Sequence, residues 1–297
     1  MNIYNPQYSF TSGNSHFKRC KIPFVFTLLL LSMNSCFEDA EKVEDCDPCI
    51  SPTSYPGFNS VFSEEFNGVT LVEEWNFTEG NGCPEACGWG SGELQTYQDN
   101  NVSIRDGNLV ITAKKETVGD SQYTSGRINT YNSLSFEYGR IDVRAKLPKG
   151  QGLWAGIWLL GDNINEVGWP NAGHLSIAEL RGGELDGRNN TIVGKLLWGV
   201  PSKVEITSNY ISIEKGIFND KFHVFSIIWE PTKIQWLLND QVYLEQDIDA
   251  SMNGTFNKPF HLILNVAVGG SFPGNPDNTT IFPQEMVVDY IRVFQNN

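Results

Sequence analysis

Hydrophobic and polar positions alternate with a period of two along most of the chain. Val102 and Ile104 alternate with polar neighbours, and Leu109, Ile111 and Ala113 resume the pattern after Asp106-Gly107. Two alternating runs joined by Asp-Gly predict a β-hairpin. Residues 123–130 (YTSGRINT) and 136–148 (FEYGRIDVRAKLP) predict further strands. Residues 152–161 (GLWAGIWLLG) predict a strand that carries Trp154, Gly156 and Trp158 on one face. Ile234, Trp236 and Leu238 repeat the alternation, with Trp229 and Trp236 assigned to the core, and residues 260–295 complete the series. No segment of useful length has helical periodicity. The pattern predicts one all-β domain, a sandwich or a barrel, without internal repeats.

The stretch 169–183, WPNAGHLSIAELRGG, stands apart. On a period-2 reading Leu175 and Ile177 point one way and His174 and Ser176 the other. Glu179 lies an odd number of positions from His174, so a regular strand puts it with Leu175. A one-residue bulge near Ala178 would swing Glu179 onto the face of His174 and Ser176. An imidazole, a hydroxyl and a carboxylate would then share one strand face, beside Trp169.

Composition narrows the ligand. The formal net charge is −14, with no basic stretch outside the N-terminus. A nucleic-acid-binding domain needs a cationic face, so nucleic acid is excluded as a partner and a neutral polymer is compatible. Aromatic residues make up 12% of the chain and glycines number 28. That suits a turn-rich sandwich with an aromatic cleft, where sugar rings can stack.

Several blocks in order, GELQTY, YTSGRINT, YGRIDVRAKLP, NVAVGGSFPGNPD and FPQEMVVDYIRVFQ, resemble glycoside hydrolase family 16, most closely its laminarinases. The resemblance covers residues 58–295. It implies a concanavalin A-like jelly-roll of two antiparallel sheets, whose concave sheet forms a glycan cleft. At the central stretch those enzymes read WPxxGEIDIMEYxG. The first Glu is their nucleophile, the Asp assists, and the last Glu is the acid/base. On this chain the three positions are His174, Ser176 and Glu179, so one acidic residue of three remains. Leu197 replaces a common His, and Phe272 stands where Trp is common. The resemblance also implies glycan contacts by Arg127, Trp154, Trp158 and Trp169, with Trp198 added, and a structural Ca²⁺ held by Glu65, the Gly107 carbonyl and Asp289. No other cofactor is required.

A retaining glycosidase needs two carboxyl groups about 5–5.5 Å apart, one to attack and one to protonate. His174 cannot place negative charge beside an oxocarbenium-like transition state, and Ser176 removes a second charge. An inverting route would need another base, for which Glu184 and Asp186 are the near candidates. The expectation is therefore a protein that binds β-1,3-glucan of the laminarin type without cutting it. The alternative is an endo-β-1,3-glucanase with unusual chemistry.

The N-terminus is read as targeting. Lys18, Arg19 and Lys21 precede the ten-residue apolar run 22–31, which suits a signal peptide and is too short to span a bilayer. SMNSC then resembles a lipoprotein signal, with Cys36 as the acylated residue. Six acids and one Lys lie between Glu38 and Asp47, and they resemble the surface-export signal of Bacteroidetes lipoproteins. The expected organisation is a signal over 1–35, a solvated tether over 36–57 and the β domain over 58–297. That implies a lipid anchor in the outer membrane, exposure at the cell surface, and glycan-uptake proteins as partners. Cys46, Cys49, Cys83 and Cys87 remain for disulfides, and three pairings are open. Joining the first two to the last two would pin the tether to the domain. A zinc site built from all four is the competing reading.

Overall fold

The computed structural model describes residues 41–183 and 185–296. The signal over 1–35, Cys36 and Glu184 lie outside the described residues. Two antiparallel sheets stack into a jelly-roll β-sandwich. In one sheet the strands run in the order Lys203–Ile213, Thr191–Val200, His174–Arg181, Leu153–Gly161, Phe260–Val268, Arg127–Asn129 and Asn76–Phe77. In the other the order is Gln241–Asp247, Lys233–Leu238, His223–Glu230, Gly139–Lys146, Gln284–Asn296, Asn108–Ala113 and Val102–Arg105. Residues of the two inner faces, among them Ile157, Leu175, Leu264, Ile227 and Val293, form one apolar core. The hairpin at Asp106-Gly107 has both turn residues at positive φ, 53° and 71°, as a type I′ turn requires.

The segment over 41–57 corrects the expectation of a solvated tether. Glu41–Val43 adds a parallel strand along Ile211–Ile213 at the sheet edge. Val43, Cys49 and Ser51 are buried. Arg144 donates to the Cys49 carbonyl and Arg292 to the Ser51 carbonyl, while Ser51 and Tyr290 bond side chain to side chain at 2.8 Å. The acidic composition describes the solvent side of this segment. The few apolar and small residues in it find partners on the sandwich, so residues 41–57 belong to the folded domain.

The cysteines pair locally, Cys46 with Cys49 and Cys83 with Cys87. No disulfide joins the two pairs, so hydrogen bonds and strand pairing pin the segment instead. The four-cysteine zinc reading falls with this pairing. His223 lies near Cys46 and Cys49, but those sulfurs are bonded to each other.

The central strand His174–Arg181 carries the bulge that its sequence spacing requires. Trp158 pairs with Ser176 and Ile157 with Ala178, leaving Ile177 as the extra residue. On the other side Ser176 pairs with Lys195 and Glu179 with Val193. A bulge unpairs backbone carbonyls, and these must find donors. The opposite sheet supplies them: Trp236 Nε1 donates to the Ser176 carbonyl at 2.8 Å, and the Tyr243 hydroxyl to that of Ile177 at 3.4 Å. Trp236 is thus core, as expected, and also a brace for the bulge. Trp236→Phe keeps most of the volume but leaves a buried carbonyl without its donor. The expected cost is about 2–3 kcal/mol, read as a shift of the denaturant midpoint.

Candidate functional site

With the bulge in place, His174, Ser176, Glu179 and Arg181 share the face that points away from the core. Glu179 is 2% exposed and its carboxylate accepts three hydrogen bonds. Ser176 Oγ reaches Oε1 at 2.5 Å, and Trp154 Nε1 and Lys195 Nζ reach Oε2 at 3.1 and 2.8 Å. His174 Nε2 lies 3.1 Å from Ser176 Oγ. The hydroxyl has one proton and gives it to Glu179, so Nε2 must be the donor in this pair. The chain of donors therefore runs from His174 through Ser176 to Glu179. It leaves no lone pair on Nε2 for attack on a sugar carbon.

The charge states agree with that geometry. Burial pushes the His174 pKa down to about 4; Lys195 and Arg127 add to the effect and Glu179 opposes it. The imidazole is neutral at pH 7. Burial alone would raise Glu179, but the Lys195 ammonium, the His174 ring and the hydrogen bonds from Lys195 and Ser176 together outweigh it and hold the carboxyl below its usual range. Glu179 is an ionised acceptor of three hydrogen bonds rather than a poised acid. A general acid needs the opposite, a pKa lifted toward the working pH.

Aromatic rings cover the floor beside this network. Trp158 lies 4.9 Å from the His174 ring and 5.6 Å from Trp154, which is 5.2 Å from Phe272. Arg127 sits over the rings of Trp89 and Trp158 at 5.1 and 5.9 Å. Glu93 backs this group: its carboxylate accepts from Gln95 at 2.6 Å and from the Tyr97 hydroxyl at 3.0 Å. Burial raises the Glu93 pKa, opposed by those two hydrogen bonds and by Arg127.

Gly156 explains how Trp158 lies flat. A Cβ at Gly156 would sit 1.7 Å from Trp158 Nε1. That indole N–H is buried without a hydrogen-bond partner, an arrangement that costs stability and presents the ring face. Gly156→Ala must expel the indole from its seat. The expected result is a loss of glucan affinity of up to about tenfold, as removal of a stacking face costs about 0.5–1.5 kcal/mol, with a shift of tryptophan emission. Unchanged emission and affinity would contradict the role of Trp158 as a platform.

The structure brings together His174, Ser176, Glu179, Arg127, Trp154 and Trp158, as expected from the sequence. Trp154 is only 9% exposed and its N–H is bound to Glu179, so it supports the floor more than it offers an open face. Trp169 is half-buried in the turn before the strand, joined to Pro170 by a cis bond. Trp198 is a correction. It shares strand parity with the buried Leu196 and packs edge-on against the core residue Phe256 at 6.2 Å. Leu197 is the residue opposite His174.

The calcium ligands are placed differently from the expectation. Arg292 binds both oxygens of Glu65 at 2.7 and 2.9 Å, and Arg144 binds Asp289 at 2.6 Å. Each carboxylate is already neutralised by a guanidinium, so this arrangement does not fit a divalent cation. The Asp186 side chain lies outside the described residues. Sequence reasoning missed Lys195, Trp89 and Glu93. Trp89 could have been found from its setting, a turn with Gly88 and Trp89 both at positive φ, closed by Cys83–Cys87.

Three comparisons bear on this site. A family model, glycosyl hydrolases family 16, matches residues 91–292. Glucan endo-1,3-beta-glucosidase A1 of Niallia circulans is 35% identical over 87% of the chain, and the chain spans 40% of its length. A beta-1,3-glucan-binding protein of Penaeus monodon is 34% identical over 54% of the chain, which spans 50% of that protein. The laminarinase catalytic domain of Thermotoga maritima superposes with a TM-score of 0.75 at 40% identity, covering 81% of this chain and 99% of that one.

Proposed function

Since this chain belongs to glycosyl hydrolase family 16, we propose that it uses the family's cleft to capture β-1,3-glucan without hydrolysing it. One observation carries the reading: the single carboxylate on the central strand, Glu179, is held ionised by Lys195 at 2.8 Å while a neutral His174 occupies the attacking position. Retaining hydrolysis needs a free carboxylate and a protonated one side by side. Here one is missing and the other is ionised and accepts hydrogen bonds from Ser176, Trp154 and Lys195. The binding parts remain, with Trp158, Trp89 and Phe272 around Arg127 and Lys195. Apolar sugar faces stack on such rings, and directed polar groups meet their edges.

In this reading the protein is a lipoprotein acylated at Cys36, displayed on the cell surface, that hands glucan to hydrolases or an uptake porin. The name of the Penaeus monodon relative supports a binding role on this scaffold, and the names of the two glucanases support the glucan. The test is calorimetric titration of the protein with laminarin, followed by overnight product analysis of the same sample. Binding with no new oligosaccharide is expected. Oligosaccharides that disappear on Glu179→Gln would instead make the protein an active endo-glucanase.

A further inference from the structure

The described residues include seven arginines, and their partners divide them by location. Arg105, Arg140, Arg144 and Arg292 each pair with a carboxylate within 4.0 Å. Arg127, Arg181 and Arg188 have no such partner among the described residues, and all three lie around the cleft. This happens in a chain with 35 acidic and 21 basic residues, where carboxylates are plentiful. Two of the three, with Lys195, gather at one point. Lys195 Nζ lies 3.8 Å and Arg181 5.4 Å from the Phe272 ring. Arg188 leans on the next residue, with Nη1 3.4 Å from the Pro273 carbonyl and 3.3 Å from Gln151, while its Nε is buried without a partner. Among the described residues Lys195 alone of the three pairs with an anion, Glu179, whose carboxylate also accepts from Ser176 and Trp154. Arg181 follows Glu179 on the same strand face and pairs across the sheet with Trp154. The cluster therefore continues the floor of the cleft.

From this arrangement we infer that Arg181, Arg188 and Lys195 around Phe272 form an anion subsite, and that the captured glycan carries sulfate ester or carboxylate substituents on a β-1,3-glucan backbone. The inference rests on the capture reading above and adds the substrate class. A neutral glucan leaves the Arg181 and Arg188 guanidinium groups without a carboxylate partner among the described residues, Lys195 alone of the three being paired, with Glu179. An anionic substituent on a sugar stacked at Trp158 would supply charge-assisted hydrogen bonds to the guanidinium forks, which match planar or tetrahedral oxyanions. The same substituent placed elsewhere on the surface would meet an acidic protein and be repelled.

The test compares laminarin, sulfated laminarin and carboxymethyl-laminarin by calorimetric titration, with dextran sulfate as a polyanion on a different backbone. At low ionic strength at least one derivative is expected to bind about tenfold tighter than laminarin, a gain of the size of one charge-assisted hydrogen bond. The gain should shrink in high salt, where exposed charges are screened. Which derivative gains tells a sulfate site from a carboxylate site. In Arg181→Gln/Arg188→Gln the ratio of derivative to laminarin affinity should fall to within twofold. Equal affinities, a preference that survives the double variant, a salt-independent preference, or equally tight dextran sulfate would each overturn the subsite. The salt series uses the native chain, so it decides the matter even if the variant does not fold. Laminarin binding without preference removes only the subsite. Failure of all three glucans removes the capture reading with it.

Discussion

A His174→Glu/Ser176→Asp/Lys195→Met variant is expected to release oligosaccharides from laminarin, which the proposed capture role denies to the native protein. The first change supplies an attacking carboxylate, and the second restores the acid between the two reacting groups. The third is the one that only the structure demands. While Lys195 stands 2.8 Å from Glu179, the carboxyl stays ionised and cannot protonate the leaving oxygen. Remove the ammonium and place negative charge at position 174, and the Glu179 pKa moves up, because neighbouring carboxylates cannot both ionise at low cost. Positions 174 and 179 are already bridged through one hydroxyl at 176, so their spacing suits the pair of about 5–5.5 Å that retaining chemistry uses.

The size of the effect ranks the three changes. Proton donation by a positioned acid contributes about 10²–10⁴-fold. The variant that keeps Lys195 should therefore be slower than the triple variant by about that factor. The measurement is reducing-sugar release over hours, with Glu179→Gln added to the triple variant as the control that must abolish it. Equal rates with and without Lys195 would show that the ammonium does not suppress the acid. A folded, glucan-binding triple variant with no activity would place the loss of catalysis elsewhere in the cleft.

The fold was legible in the sequence because period-2 alternation and Asp106-Gly107 report local geometry directly. The bulge was legible too: Glu179 must join His174 on one face, and their odd spacing demands an extra residue between them. Lys195 was not legible. It sits on the neighbouring strand, and its position opposite Ser176 is a matter of strand register, which a single sequence does not state. Trp198 shows the reverse case. Counting two residues on from Leu196, 0% exposed, places Trp198 on the core side, and its nearness in sequence to the cleft misled. The docking of 41–57 was hidden because its contacts are mostly backbone carbonyls and small side chains, which composition does not register.

Lys195→Met alone is expected to destabilise the protein by about 2–4 kcal/mol near neutral pH, since it leaves a buried charge without its partner. The Glu179 side chain is 2% exposed and that of Lys195 16%, so water cannot readily replace the ammonium. Methionine keeps the apolar stem over Phe272, which confines the change to the charge. The pH dependence separates this cause from lost packing. In the native protein the Glu179 pKa is depressed, so the pair stabilises above the unfolded carboxyl pKa of 4.5 and that contribution is lost as pH falls through the folded value. In the variant burial is no longer outweighed, the pKa rises, and the penalty is present at neutral pH and fades as Glu179 takes up a proton. The difference between the two proteins must therefore shrink from pH 7 toward pH 4. Lys195→Met/Glu179→Gln should recover part of the loss at pH 7, because it removes the orphaned charge. Urea titrations of the three proteins at several pH values test this, and a penalty that neither fades with acid nor recovers in the double variant would show that Lys195 acts through packing and leaves Glu179 free to titrate.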